Sequence, residues 1–184
     1  MNVSLKRAKN PMDWWQVYKL YRQAFPRSEQ KPFSLIIKMA RTGKTDVWCI
    51  MEGRRFKGFA TTINGSDAVL LDYLAISKEA RGRGFGSKAL AEMLLKYTGR
   101  GFFVEIESAF EPGEDLELRR RRRRFYQSAG LEAFGVMADV FGVKMELLGT
   151  GCRLNYAQYH DFYSTNYSPW AAEHLSELPY PETM

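Results

Sequence analysis

Cysteine and histidine are almost absent from this chain: two of each occur in 184 residues. Cys49 lies in an apolar segment and Cys152 in loop sequence, neither close in sequence to a histidine. His160 and His174 both fall in the carboxyl-terminal tail, with no Cys/His ligand spacing. That distribution argues against a metal centre and against a Cys–His nucleophile pair, and it reads as reduced thiols, not a disulfide framework. No glycine-flanked serine elbow is present, which removes the usual hydrolase signature. No apolar run is long enough to cross a bilayer, and Met1–Arg7 lacks the apolar stretch of an export signal. A cytoplasmic location with no membrane partner is therefore expected. Internal repeats and low-complexity linkers are also missing, so residues 1–184 are expected to form a single domain, with 155–184 packed on it as an aromatic tail.

What is present is enough apolar residue (45%) to build a core and a net charge of +6. The charge favours anionic partners, and a phosphorylated small molecule, nucleic acid or a membrane surface all satisfy it. Val3–Arg7 alternates weakly as a first strand. Asn10-Pro11-Met12-Asp13 is a helix start, with Asn as cap, Pro in the first turn and an acid third. Trp14, Val17, Tyr18, Tyr21, Ala24 and Phe25 form its apolar stripe, and Pro26 stops it. A second helix runs from Phe33 to Thr42 and ends at Gly43. Asp46–Glu52 and Arg55–Asn64 read as a hairpin, followed through Asn64-Gly65 by the strand Ala68–Ile76. Beyond lie a strand at Gly101–Glu107, a helix from about Glu114 to Ala129 and two strands within Leu131–Leu148. Strands interspersed with helices predict a mixed α/β fold.

The most informative segment is Arg81-Gly82-Arg83-Gly84-Phe85-Gly86-Ser87, between that buried strand and a helix with apolar residues at Phe85, Ala89, Leu90, Met93 and Leu94. Glycines let the backbone approach an anion, and the first N–H groups of the helix point at it with the positive end of the dipole behind them. The order Gly86-Ser87-Lys88 does not make a Walker A loop. A dinucleotide fingerprint would place its first glycine at the strand end, whereas Ser77–Arg81 intervene here. A plain tight strand-to-helix connection remains the structural alternative.

Leu74-Ala75-Ile76, a five-residue gap and then Arg81-x-x-Gly84-x-Gly86 resemble the coenzyme A signature of the GNAT family of N-acetyltransferases. Phe125-Tyr126, followed by Gly130-Leu131, is similar to the family's second signature, and the two occur in order over roughly Asp46 to Leu148. The resemblance implies a mostly antiparallel twisted sheet of about six to seven strands flanked by about four helices, with splayed central strands. It implies acetyl-CoA as co-substrate, its pantetheine against main-chain groups of Leu74, Ala75 and Ile76 and its pyrophosphate on Arg81, Gly82, Arg83, Gly84, Phe85, Gly86 and Ser87. It also implies that Tyr126 is the general acid, since a phenol can protonate a departing thiolate. The acceptor implied is a primary amine on a small molecule or peptide, and the assembly a monomer or homodimer.

The base is less defined by either route. Asp72 lies inside the apolar strand, and Glu105 and Glu107 share one face of the next; a carboxylate in such a place needs a partner or a task. These three join Tyr126 as catalytic candidates, with water as the other base. Arg119–Arg124 depart from the family pattern. Glu114, Asp115 and Glu117 open their helix, with Asp115–Arg119 and Glu117–Arg121 at pairing distance, so most of the run reads as a solvated face. Leu118, Phe125, Tyr126 and Ala129 form the apolar stripe of that helix; Arg122 falls on it and is the arginine assigned to a CoA phosphate or acidic acceptor. Two other functions stay open: a CoA-binding module without transfer chemistry, and a nucleic-acid-binding protein using the arginine helix. Nucleic acid is the weaker, because no aromatic stacking platform interleaves the arginines.

Overall fold

The computed structural model describes residues 2–181. The chain divides into two compact units. One comprises the chain to Asn64 with Leu71–Thr98, the other Gly65–Leu70 with the chain from Gly99 onward.

The first unit contains β1 (Val3–Arg7), α1 (Pro11–Ala24), α2 (Phe33–Arg41), β2 (Thr45–Glu52), β3 (Arg55–Asn64), most of β4 (Ala68–Ile76) and α3 (Phe85–Lys96). Its strands lie in the order β1-β2-β3-β4, with β1–β2 and β2–β3 antiparallel. The α1 start is a reciprocal capping box: the Asn10 side chain accepts the Asp13 N–H at 2.9 Å, and the Asp13 carboxylate turns back to the Asn10 N–H. Burial opposes ionisation of Asp13, but hydrogen bonds from Lys6 and from the Lys9 and Asn10 amides outweigh it and hold the carboxyl below its ordinary range. Val17, Leu20 and Tyr21 of α1 pack with Ile36, Val47, Cys49, Phe59, Tyr73 and Ala75. Tyr18, expected on the same stripe, is 45% exposed; Leu20 takes the inward place instead.

The second unit contains the first residues of β4, then β5 (Gly101–Glu107), α4 (Leu116–Ser128), β6 (Glu132–Val140), β7 (Val143–Thr150), α5 (Tyr156–Asn166), α6 (Pro169–Ala172) and β8 (Leu175–Leu178). Its strand order is β5-β7-β6-β8, and each of those neighbouring pairs is antiparallel. Eight strands and six helices are thus described, against about six to seven and about four expected. The surplus comes from the tail. Asn155 and Gln158 form a second capping box that starts α5, Ser168 caps α6, and Leu175–Leu178 pair with Met137–Val140 as an added strand. Phe103 of β5 packs edge-on against Tyr159 and Phe162 of α5.

Glycine is required at 58, where β3 runs against β4. A Cβ built there would lie 2.3 Å from the Ala75 carbonyl oxygen, closer than any real contact. Gly58→Ala should destabilise the chain by about 1–3 kcal/mol in urea unfolding, because one strand must move away from the other. An unchanged midpoint would contradict the close approach.

Candidate active site

Beyond Leu71, β4 alternates. Tyr73 and Ala75 point into the first unit's core, while Asp72, Leu74 and Ile76 are half-buried on its other face. A 3-10 turn at Lys78–Ala80 follows, anchored by the buried Ala80. Arg81, Gly82, Arg83 and Gly84 are then exposed. Gly82 and Gly84 have φ of 71° and 77°, the left-handed conformation that the expected glycine turn requires. Gly84 is the residue that caps α3, and its carbonyl accepts the Lys88 N–H at 3.1 Å. Phe85, Gly86 and Ser87 form the first turn, where helical geometry supplies no intrahelical acceptor for the N–H groups. No side chain caps this end. Phe85 differs from its neighbours: its ring is buried, with Arg83 5.5 Å and Lys57 5.3 Å from its centre. Only its main chain is available to a ligand. Arg81 also donates from Nε to the Ile76 carbonyl at 3.1 Å, tying the loop to the strand end and occupying one main-chain acceptor there.

Asp72 is an ion-paired residue in the structure. Lys31 Nζ lies 2.6 Å from its Oδ1, and the carboxylate side chain is 8% exposed. The loop that carries Lys31 is fixed from below by phenols. Tyr73 donates to the Glu29 carbonyl at 2.8 Å and Tyr21 to the Lys31 carbonyl at 3.1 Å. Burial, reinforced by the charge of Asp72, pushes the Tyr73 hydroxyl far above its ordinary value, and burial raises Tyr21 as well.

In the second unit, Tyr126 lies on α4, its ring edge-on to Phe125 at 5.0 Å. Loss of solvent pushes its phenol up to about 12, with the charge of Arg122 pulling the other way. Among the described residues its hydroxyl has no hydrogen-bond partner. Arg122 itself is exposed. Glu105 accepts hydrogen bonds from Tyr159 at 2.8 Å and Tyr163 at 3.0 Å. Glu107 is 3.8 Å from the Arg119 guanidinium and keeps 39% side-chain exposure. The three carboxylates therefore belong to different settings, Asp72 in the first unit and the two glutamates in the second, and each has a partner.

The inward face of α4 is not the one expected. Leu118, placed on the apolar stripe with Phe125 and Ala129, is 53% exposed, and Arg119 is buried instead. Arg119 donates to the Ser108 carbonyl at 2.6 Å and the Glu111 carbonyl at 3.0 Å. Four residues on, Arg123 forks onto Glu146 at 2.8 and 3.1 Å, and Tyr180 donates to the same carboxylate at 2.6 Å. Glu146 has no exposure at all. Arg124 pairs at the surface with Glu117, and among the described residues Arg120, Arg121 and Arg122 are exposed and make no salt bridge. Periodicity could have flagged Arg119 and Arg123 as one face of the helix, and Glu146 as a charge inside an apolar strand. Nothing in the sequence pairs them.

Residues 14–131 match the model of the Acetyltransferase (GNAT) family. The chain belongs to that family. Among curated relatives, YjbC of Bacillus subtilis (strain 168), named "Putative acetyltransferase YjbC", is 29% identical over 116 residues. The match takes in 63% of this chain and only 55% of YjbC, so the chain spans about half the length of that relative. A GNAT-family structure from Bacteroides thetaiotaomicron superposes with a TM-score of 0.69 at 19% identity, covering 91% of this chain and 99% of that one. Arabidopsis thaliana NAA60 in complex with acetyl-CoA gives 0.63 at 14% identity, over 80% and 97% of the two chains. At those identities the likeness is one of fold, and it is the GNAT fold.

The Arg123–Glu146 pair is open to direct measurement. Arg123→Met leaves a buried carboxylate without its cation and should lose about 3–5 kcal/mol in denaturant unfolding, whereas Arg123→Met with Glu146→Leu should recover most of that loss. Equal destabilisation of the single and double variants would mean that the pair does not act as a unit.

Proposed function

We propose that this chain is an N-acetyltransferase, a single acetyltransferase domain that moves an acetyl group from acetyl-CoA to a primary amine by direct attack. The observation that carries the proposal is the turn from Arg81 to Gly84 opening α3: four exposed residues, two glycines in the left-handed region, and helix-start amides unopposed by any side-chain cap. Helix-start N–H groups of that kind, with Arg81 and Arg83 just before them, suit a pyrophosphate. The backbone of Leu74, Ala75 and Ile76 is assigned to the pantetheine arm, with the Ile76 carbonyl already engaged by Arg81. Arg122, exposed and cationic, is assigned to a phosphate or to the acceptor. Acetyl-CoA, when bound, supplies the thioester under attack.

Tyr126 is assigned as the general acid. Its raised pKa keeps the proton in place across the physiological range, and its hydroxyl is not committed to another group. The amine nitrogen forms the new C–N bond, the C–S bond breaks, and the phenol proton passes to the sulfur. The attacking amine has to give up a proton. Asp72 is held by Lys31 and Glu105 by two phenols. Glu107 keeps 39% side-chain exposure, and its partner is the most distant of the three at 3.8 Å. The base in this reading is therefore Glu107 or water.

Two variants separate binding from chemistry. Ser87→Glu places an acid in the first turn of α3, where it favours the helix but repels a phosphate. It should preserve thermal stability and weaken acetyl-CoA binding at least about tenfold by calorimetry, for a loss near 1.4 kcal/mol. Tyr126→Phe should keep that affinity within about twofold while lowering kcat about 10²- to 10⁴-fold. An acid must be protonated to act. With Tyr126 titrating near 12, kcat should show no acid-limited fall up to about pH 10. No acetyl-CoA binding by the wild type would overturn the reading.

A further inference from the structure

The three carboxylates that could make an acidic mouth for a polycationic amine are each partnered, as described above. At the end of α1 and in the segment that leads to α2 the exposed charges are Arg22 and Arg27, with Glu29 the one exposed acid beside them. Between α1 and α2 the first unit carries a cleft of about 410 Å³ whose lining includes Tyr18, Arg22, Arg27, Gln30, Lys31 and Phe33, and no carboxylate. That volume is in the range of small-molecule sites. The Arg22 Nη1 donates to Gln30 Oε1 at 2.7 Å, and Gln30 Nε2 donates to the Phe25 carbonyl at 2.6 Å, so one guanidinium is already oriented. The Arg27 carbonyl accepts the Gln30 N–H, and among the described residues its guanidinium has no hydrogen-bond or ion-pair partner. Tyr18 and Phe33, with ring centres 5.0 Å apart and inclined at 62°, provide an aromatic wall. The frame is rigid because the Tyr73 and Tyr21 hydroxyls hold the Glu29 and Lys31 carbonyls. Lys31 joins the cleft to β4 through Asp72, two residues before Leu74.

We infer that this cleft selects the acceptor, and that the acceptor is an amine carrying a carboxylate, of the α-amino-acid or acidic-peptide kind. The inference rests on the acetyltransferase reading for its second partner, acetyl-CoA, but not for the cleft's own charge preference. Arg22 and Arg27 bind the carboxylate by charge-assisted hydrogen bonds, the aromatic wall takes an apolar side chain, and Lys31 stays with Asp72. A polyamine meets two guanidinium groups in a lining without a carboxylate, Glu29 of the neighbouring turn lying outside it, and is disfavoured by like charge.

The test uses matched pairs. Ligand-observed NMR with N-acetylphenylalanine and its uncharged counterpart N-acetylphenethylamine reads the cleft without turnover. The acid should bind about 10- to 100-fold more tightly, the difference falling to near unity in Arg27→Ala and surviving in part in Arg27→Lys. Thiol release from acetyl-CoA with phenylalanine, phenethylamine, an Asp-Phe dipeptide and spermidine then gives the acceptor order. Faster turnover of phenylalanine favours a free amino acid, and faster turnover of the dipeptide favours an acidic peptide. Equal binding of the matched pair, a preference for spermidine, or an Arg27→Ala effect that is the same for charged and neutral ligands would overturn the inference. Failure of acetyl-CoA to bind would remove the acetyltransferase reading and leave the NMR result to decide the cleft.

Discussion

A carboxylate set inside a β-strand has to be matched by donors that come from elsewhere in the chain, and much of this structure follows from how that demand is met. Glu146 is the extreme case, with no exposure at all in the middle strand of the β5-β7-β6 run. Desolvating a carboxylate so fully costs several kcal/mol unless cations and hydrogen bonds surround it. Arg123 supplies both guanidinium contacts and Tyr180 the hydroxyl. Because Arg123 is fixed to β7 and Arg119 to the carbonyls of Ser108 and Glu111, α4 is held at two points one turn apart, and its rotation about its own axis is set. Tyr126 comes three residues after Arg123, so the phenol proposed as the acid is oriented by the same clamp.

The first unit meets the same demand differently. Asp72 takes Lys31, which belongs to the segment between α1 and α2 and not to a helix. That segment is then stapled by phenols whose protons do not leave in the working range. Tyr73 and Tyr21 both titrate above their ordinary value, chiefly because they are buried, so they stay protonated as donors to the Glu29 and Lys31 carbonyls across the neutral range. The aromatic cluster around them, with Tyr73 5.0 Å from Tyr21 and 4.8 Å from Phe25, makes the staple part of the core. A loop anchored in that way has a fixed shape before any ligand arrives, which lowers the ordering cost of binding.

The sequence made the regular elements readable wherever local chemistry decided them. The Asn10 helix start, the hairpin of Asp46–Glu52 with Arg55–Asn64, the buried run to Ile76 and the glycine turn after it are each settled by a few adjacent residues, and the structure has them in those places. Readings that depended on distant partners were less complete. Six arginines in a row look solvated because nothing in their neighbourhood reveals that Ser108, Glu111 and Glu146 lack donors. Leu118 looks buried for the converse reason: hydropathy cannot see that a guanidinium has a stronger claim on the inward face. The tail was legible only in outline. Its aromatics pack on β5 through Tyr159 and Phe162, but the two helices and the strand that Asn155, Ser168 and the β6 edge make of it were not read from the sequence.

The start of α3 is where electrostatics and folding point in opposite directions. The positive end of a helix is stabilised by acids, and α1 and α4 place Asp13 and Glu117 in their first turns. The first turn of α3 contains no acid and is preceded by Arg81 and Arg83. Local relief is small. Arg81 turns back to the Ile76 carbonyl, and Arg83 lies over the Phe85 ring. Gly84 cannot cap the helix with a side chain, and Gly82 has open space where a Cβ would be. A tight packed connection would not need the two cations at the positive end of the helix. In the proposed reading an anion on those amides would neutralise the arginines and satisfy the helix end together.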